Sequence, residues 1–374
     1  MAMVEALEQN EIFIPVDRLR EFVEAVFVRL GVRPDDAWVV ADNLVAADLR
    51  GIHSHGVARL ERYVKGLKDG LIKPVAPCSV LFETAATATL DARDGLGQPA
   101  AKYAMEMAIR KASESGAGFV AVRNSNHYGI AGYYAMMALS HDMIGISLTN
   151  SAPLVVPTFG REIIVGTNPI AVAAPAAEGE RPFVLDMATS TVPRGKVEVY
   201  NRKEKTMPAG WASDETGKST GDARRVLDNL VKRRGGGLLP LGGEGETWGG
   251  HKGYGMALLI DVLTGVLAGG AFGAHVYEDG PDGKPKPANV CHLLGAFDLK
   301  GFGDPQAFRK SLAQYANELR SSAKADGEER IFVHGEREFE MTERYEKSGV
   351  PIHPKSVGSM RFIAGELGLP YTLD

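Results

Sequence analysis

The chain has 374 residues, 44% hydrophobic and 24% charged, with 42 Lys plus Arg against 47 Asp plus Glu and a formal net charge of -5. This is an ordinary globular mix with material for a large core in two or three domains, and it lacks the basic excess that nucleic acid or an anionic membrane would attract. Cys78 and Cys291 build no disulfide framework, no basic start precedes an apolar run, and no apolar stretch of 18 residues is uninterrupted; a cytoplasmic chain without a membrane span is expected.

The N-terminal region reads as helices. "PVDRLREFVEAVFVRLG" places Val16, Leu19, Phe22, Val23, Val26 and Leu30 near helical spacing and stops at Gly31. "PDDAWVVADNLVAADLRG" opens on Pro34 and two acidic residues, which suit the positive end of a helix dipole. A third helix is expected to begin after Ser54, as its N-cap, and to run to about Lys68.

From Pro74 the texture changes. "SVLFETAATATLDARDG" reads as strands with a turn at Asp94-Gly95. Helix "QPAAKYAMEMAIRKASESG", strand "GFVAVRN", helix "IAGYYAMMALSHD" and strand "MIGISLTNS" follow, then strands in "NPIAVAAP" and "FVLDMATS". Several strands are joined by short turns alone, so a mixed or antiparallel sheet is expected rather than a doubly wound one. "NRKEKTMPAGWASDETGKSTGDARRV" reads as a surface excursion, and "RRGGGLLPLGGEGETWGGHKGYG" as a Gly-rich connector of weak secondary structure. "YGMALLIDVLTGVLAGG" reads as an apolar core helix buried on most sides. "YEDGPDGKPKPAN" is a solvated loop, "PQAFRKSLAQYANELRSSA" an amphipathic helix, "GEREFEMTERYEKSG" an exposed charged one, and the tail a closing helix.

Two segments could carry chemistry. In "GIHSHGVARLERYVKG", His55, Arg59 and Tyr63 share one helical face, so an imidazole, a guanidinium and a phenol stand in a row. Arg holds a carboxylate through two parallel hydrogen bonds, so an anion suits this place, while a plain capped surface helix is the alternative. A metal site from His53 and His55 is the weaker reading, because no HExxH or carboxylate cluster completes it. In "VRNSNHYGIAGYYAMMAL" a strand ends in a polar turn, Asn124 to His127, before a helix; this presents His127 to a ligand, or simply closes a turn on itself. Asn150, Ser151, Thr189, Ser190 and Thr191 end other strands with groups that hydrogen-bond hydroxyls or phosphate. Lys252 lies among glycines, where it can meet a phosphate. No GxGxxG, GxxxxGK[ST] or GxSxG occurs. The residues alone stop at a mixed α/β protein with two His-bearing turns.

Taken together, "DLRGIHSHGVARLERY", "NSNHYGIAGYYAMMA", "SLTNSAP", "GTNPIAVAAP", "VLDMATSTVPRGKVE", "GGLLPLGG" and "HKGYGMALLIDVLTGVLAG" resemble the type II malate/L-lactate dehydrogenase family, the non-Rossmann NAD(P)-dependent 2-hydroxy-acid oxidoreductases. They occur in the family's order between Asp48 and Gly269. Near the C-terminus, where the family carries an Ile-Pro-Gly-Glu-like element, this chain is read as "GVPIHPKSVGSMRF".

The resemblance implies an α+β, mixed α/β fold with a non-Rossmann cofactor domain around a mostly antiparallel sheet. A helical domain over 14–74 is joined by 335–374, and a small third domain is inserted within 75–334. It implies a homodimer, a small 2-hydroxy or 2-keto acid as substrate, and NAD or NADP as cofactor, with NAD favoured. His127, His55 and Ser54 are the implied catalytic residues, with His127 ahead of His55 as acid/base. Arg59, Tyr63, Ser151 and Lys196 are implied for substrate. Asn126, Asp186, Met187, Ala188, Leu239, Pro240, Leu241, Gly242 and Lys252 are implied for cofactor, and no metal is implied. Relatives that reduce cyclic imines carry Asp where this chain has Lys196, so a hydroxy acid is expected over a cyclic imine. The reading from another class is a metal- or anion-binding protein using His53, His55 and His127 without redox chemistry.

Overall fold

The computed structural model describes residues 11–373. Strand β1 (Ile12–Ile14) leads into helices α1 (Val16–Arg29), α2 (Pro34–Leu49) and α3 (Leu60–Lys68). In α1 the predicted spacing buries Leu19, Phe22, Val23, Val26 and Phe27 on one face. Pro34 begins α2 with Asp35 and Asp36 in its first turn, as the sequence suggested.

The third helix starts later than expected, at Leu60. Residues 53–59 form two 3-10 turns, His53–His55 and Val57–Arg59, divided by an extended Gly56. The cause is Asp48, a buried carboxylate on α2. It meets His53 Nδ1 at 2.9 Å and accepts the Val57 N–H at 2.7 Å. Any side chain at Gly56 would lie 2.1 Å from that carboxylate, so only glycine lets the chain pass. Ser54 therefore caps nothing, and its hydroxyl turns to His55 Nδ1 at 2.9 Å.

β2 (Ser79–Glu83) and β3 (Thr87–Asp91) form a hairpin turned at Thr84 to Ala86; Asp94-Gly95 follows it and leads into α4 (Gly97–Ser115). Next come β4 (Ala117–Ser125), α5 (Ala131–Met137), β5 (Met143–Thr149), β6 (Pro153–Val155), β7 (Val165–Gly166), β8 (Ile170–Ala174) and β9 (Phe183–Met187). Then follow α6 (Arg194–Arg202), β10 (Ala212–Ser213), α7 (Ala223–Lys232), β11 (Gly237–Leu238), α8 (Gly250–Asp261) and β12 (Val290–Asp298). The main sheet runs β2-β3-β4-β12-β5-β8-β9, and every pairing in it except β3 with β4 is antiparallel. Short Ala and Met side chains of α4 and α5 let both helices lie close on this sheet, with Ala101, Ala104, Met105, Ala108 and Ala135 fully buried.

The second sheet, β10-β11-β6-β7, corrects the expectation of a surface excursion. Its own core of Val155, Val197, Met207, Ala212, Val226 and Leu238 is closed by α6 and α7. The polar run hid this because its apolar residues are spaced singly between charges. The apolar α8 helix differs too. It packs through Gly250, Gly253, Ala257, Ile260 and Asp261, and a π-helical turn, Val262–Val266, continues it. Leu258, Leu259, Val262, Val266 and Leu267 are exposed, because the packed face is a narrow one built on Gly250, Gly253, Ala257, Ile260 and Asp261.

Helices α9 (Pro305–Ser321) and α10 (Glu336–Ser348), strand β13 (Val350–Ile352) and helix α11 (Pro354–Leu367) complete the chain. β13 pairs antiparallel with β1. Val357, Met360 and Ile363 of α11 join Leu19, Phe27, Leu44 and Tyr63 in one core. α10 is half-buried rather than exposed, since Tyr345 enters that core and Arg320 reaches its buried Glu336 at 2.6 Å. No helix among the described residues is long and apolar enough to cross a membrane.

Candidate active site

Antiparallel pairing of β4 with β12, β12 with β5, β5 with β8 and β8 with β9 makes β4, β5 and β9 point the same way. Their C-terminal ends therefore meet at one edge of the sheet. Those ends carry Asn126 and His127, Asn150 and Ser151, and Asp186 to Thr189. Each segment was singled out as a strand end in the sequence, and topology supplies the reason they converge. The two 3-10 turns and α3 cover this edge.

Tyr63 and His127 meet there, with the phenol oxygen 2.5 Å from Nδ1. The Gly129 N–H donates to the same nitrogen at 3.3 Å. His55 stacks on His127 with centroids 5.6 Å apart. Burial pushes both imidazoles down, His55 to about 4 and His127 well below the ordinary value, and neighbouring Arg62 and Arg59 add to the effect. Burial also pushes the Tyr63 phenol up. Both rings are thus neutral at pH 7, which is the form of a base.

Tyr63 was expected to close a carboxylate clamp, and its hydroxyl instead serves His127. Arg59 is more available. Its Nε donates to the Ser54 carbonyl at 2.6 Å, which fixes the guanidinium plane and leaves the terminal nitrogens for a ligand. Sequence reasoning missed Arg62, which donates to the Tyr277 hydroxyl at 2.8 Å. It also missed the start of α6, where Gly195 passes beside Ser54 and Arg194 pairs with Glu198 at 2.9 Å. Lys196, on that same helix, is exposed and its ammonium lies 6.0 Å over the Trp211 ring. Its chain neighbour Gly195 lies beside Ser54, so α6 borders the site.

The segments expected to face a cofactor are knitted to one another. Leu241 donates to the Thr189 carbonyl at 2.8 Å, and Thr191 Oγ1 donates to the Pro240 carbonyl at 2.7 Å. Ser151 Oγ stands 3.2 Å from Thr167 Oγ1. Asp261, buried on α8, accepts from Asn168 at 3.0 Å and from Asn150 at 3.3 Å, so α8 holds the β5 end in place. The Asn126 amide donates to the Gly95 carbonyl at 2.9 Å and so braces the loop before α4. Lys252 is exposed at the start of α8, and Met187 and Ala188 follow Asp186 at the end of β9.

Asp186 accepts the Gly132 N–H at 2.7 Å, and burial pushes its carboxyl up to about 6. It opens on a cavity of about 240 Å³ lined also by Arg50, His334, Arg337 and Glu338. Arg50 is 7% exposed; its guanidinium lies 3.6 Å from Met136 Sδ and 5.0 Å from the Phe339 ring, with Asp186 and Glu338 as nearby carboxylates that no described hydrogen bond joins to it. A buried guanidinium without a hydrogen-bonded anion is costly, and it suits a ligand that brings phosphate. The residues present thus fit one phosphate-bearing part of a larger ligand such as a dinucleotide. A Gly-Glu pair stands at Gly335 and Glu336 beside this cavity, upstream of the "GVPIHPKSVGSMRF" stretch where it was sought.

The histidines named for metal are otherwise engaged. His53 pairs with Asp48, His55 with Ser54 and His127 with Tyr63. Among the described residues no group of three or more His, Cys, Asp or Glu could hold a metal ion.

A fourth imidazole, His292, lies in the sheet behind the site. Its Nδ1 is 2.7 Å from Thr149 Oγ1 and its Nε2 2.9 Å from Ser125 Oγ, and burial lowers its pKa to about 3. Its ordinary value is higher, so the unfolded chain takes up a proton first as pH falls. Its contribution to stability is full above about 6.5 and is lost below that. His292→Asn, which does not titrate, is expected to flatten the fall of the unfolding free energy below pH 6.5, read by urea titration, by about 1.4 kcal/mol per pH unit. An unchanged slope would show that His292 protonates in the folded protein without penalty.

Comparison with known proteins matches this geometry. The model of the family described as malate/L-lactate dehydrogenase matches residues 14–361. Malate dehydrogenase of Pyrococcus horikoshii is 47% identical over 363 residues, covering 97% of this chain and 98% of that protein. Its solved structure aligns with a TM-score of 0.89 at 44% identity over 100% of both chains. The malate dehydrogenase structure from Entamoeba histolytica aligns with a TM-score of 0.91 at 35% identity, over 97% of this chain and 99% of that one. Malate/(S)-sulfolactate dehydrogenase of Methanothermus fervidus is 36% identical, covering 94% of this chain and 97% of that protein. The chain belongs to the malate/L-lactate dehydrogenase family of 2-hydroxy-acid oxidoreductases.

Proposed function

We propose that the protein is an NAD(P)-dependent dehydrogenase of a small 2-hydroxy acid of the malate or L-lactate type. The observation that carries this reading is the neutral His127 imidazole held by Tyr63 at 2.5 Å, with the Arg59 guanidinium nearby. Nicotinamide, when bound, supplies the hydride acceptor or donor. His127 takes the hydroxyl proton as the C2 hydrogen leaves with its electrons, and returns it during ketone reduction. Arg59 grips the C1 carboxylate, and Ser54 orients His55 beside the reacting centre.

The cavity beside Asp186 supports a place for the cofactor phosphates, with Arg50 as their counter-charge. NAD is preferred over NADP as the expected cofactor, and NADH is the form titrated first. Arg50→Met is expected to raise the NADH Kd about 30-fold or more, read by fluorescence titration, with the Tm preserved. An unchanged Kd would place the phosphates elsewhere.

The separate cores support a helical domain over 14–74 with 335–374, and a cofactor domain over 75–334 carrying the smaller sheet as an insert. The exposed apolar face of α8 supports a homodimer. The expected location is the cytoplasm. A panel of 2-keto acids and one cyclic imine, with NADH and NADPH, tests the whole reading. Turnover of a keto acid with NADH supports it, and activity with the imine alone would replace the substrate class.

A further inference from the structure

Asp48 stands in the last turn of α2, which carries no basic residue. An acid there meets the negative end of the helix dipole, and its side chain is only 2% exposed. Burial pushes the carboxyl up, while His53 and the Val57 N–H oppose that push. Neither local preference nor packing favours a carboxylate at this position. Breaches of this kind are expected where a fold serves function.

The carboxylate holds the stretch of chain that carries the substrate-side groups. One oxygen lies 2.9 Å from Nδ1 of His53, the first residue of the first 3-10 turn. The other accepts at 2.7 Å from the N–H of Val57, the first residue of the second turn. The backbone bond at the junction, from the Gly56 N–H to the His53 carbonyl, is long at 3.4 Å. A Cβ at Gly56 would lie 2.1 Å from the Asp48 carboxylate, so the junction is also closed around this group sterically.

Arg59 is split between the two turns. Its backbone belongs to the second, while its Nε leans on the Ser54 carbonyl of the first at 2.6 Å. The direction of the guanidinium therefore follows from how the turns are set relative to one another. Asp48 joins both. His55 rides on the first turn, with Nδ1 2.9 Å from Ser54 Oγ. The His53 ring also lies beside buried Tyr345 of α10, with centroids 6.2 Å apart, which gives that turn a second support.

We propose that Asp48 is a positioning residue for the 2-hydroxy-acid reaction: by holding both 3-10 turns it aims the Arg59 guanidinium at the substrate carboxylate. It acts through Arg59 and exchanges no proton with the substrate. This inference rests on the reading of Arg59 as the carboxylate grip.

The test is steady-state kinetics of the full chain with NAD, using L-malate and L-lactate as probes and recording Tm for each variant. Asp48→Ala raises KM about tenfold or more and changes kcat less, as a misaimed guanidinium would. Asp48→Asn keeps an oxygen for Val57 and a nitrogen for His53, and stays near wild type. On an Arg59→Lys background, Asp48→Ala raises KM further by roughly twofold or less, because the group it aims is gone. A carboxylate that only stabilised the fold would lower Tm and act equally on both backgrounds. His53→Phe keeps a ring beside Tyr345 and loses Nδ1. It releases the first turn alone and carries the same comparison if Asp48→Ala does not fold. Wild-type KM in these folded variants, equal effects with Arg59 and with Lys at that position, or an Asp48→Asn as impaired as the alanine variant overturns the proposal. Arg59→Lys with wild-type KM removes the grip assignment itself. A raised KM there, beside wild-type KM in the Asp48 and His53 variants, removes the role of Asp48 alone.

Discussion

Replacing His127 by asparagine lowers the turnover of 2-hydroxy-acid oxidation by about 100- to 10,000-fold, the range for loss of a positioned general base. NADH binding by fluorescence stays near wild type, because no contact to the Asp186 cavity is removed. Burial beside Arg62, Arg59 and His55 holds the imidazole below its ordinary value. The base is therefore already deprotonated at neutral pH, and the acid limb of the oxidation profile falls below about 6.5. Ketone reduction needs the protonated ring and so slows as pH rises through that same lowered value. His55→Ala is expected to cost less, since its Nδ1 is engaged by Ser54 and its ring mainly stacks on His127. Equal turnover in His127→Asn and wild type would move the proton chemistry to another group.

Arg59→Lys raises KM for the 2-hydroxy acid about 30-fold or more while kcat changes little. The guanidinium can hold the Ser54 carbonyl through Nε and still offer two parallel donors to a carboxylate. A lysine ammonium has one centre and cannot do both. The measurement is steady-state kinetics over a substrate series, with the Tm recorded to exclude unfolding. An unchanged KM would mean that Arg59 serves only the Ser54 carbonyl and that Arg62 or Arg194 meets the substrate.

Much of this was legible because local signals and the final fold agree. The apolar spacing of α1, the proline and acidic start of α2, and the glycine stop of α4 each act within a few residues. The antiparallel character of the main sheet followed from short turns between apolar runs. What failed depended on distant groups. Nothing near Ser54 announces that Asp48, on the preceding helix, forces the chain past Gly56 and delays α3. The smaller sheet was invisible because β10 and β11 have two residues each and depend on β6 for company. In the site, family motifs marked His127, Tyr63 and Asp186. Arg50 lay inside a quoted motif without a role, since burial without a hydrogen-bonded anion is a property of the folded state.

The place of β12 sets a schedule for the nascent chain. Strands β4 and β5 emerge early, but each waits for residues 290–298 to fill the gap between them. Until then both present open backbone edges of seven to nine residues, long enough to pair with other chains. Closing the sheet also brings His292 between Ser125 and Thr149. A ribosome-bound fragment ending before β12 should therefore be prone to aggregate and lack an ordered His127 turn, whatever the maturity of its N-terminal helices.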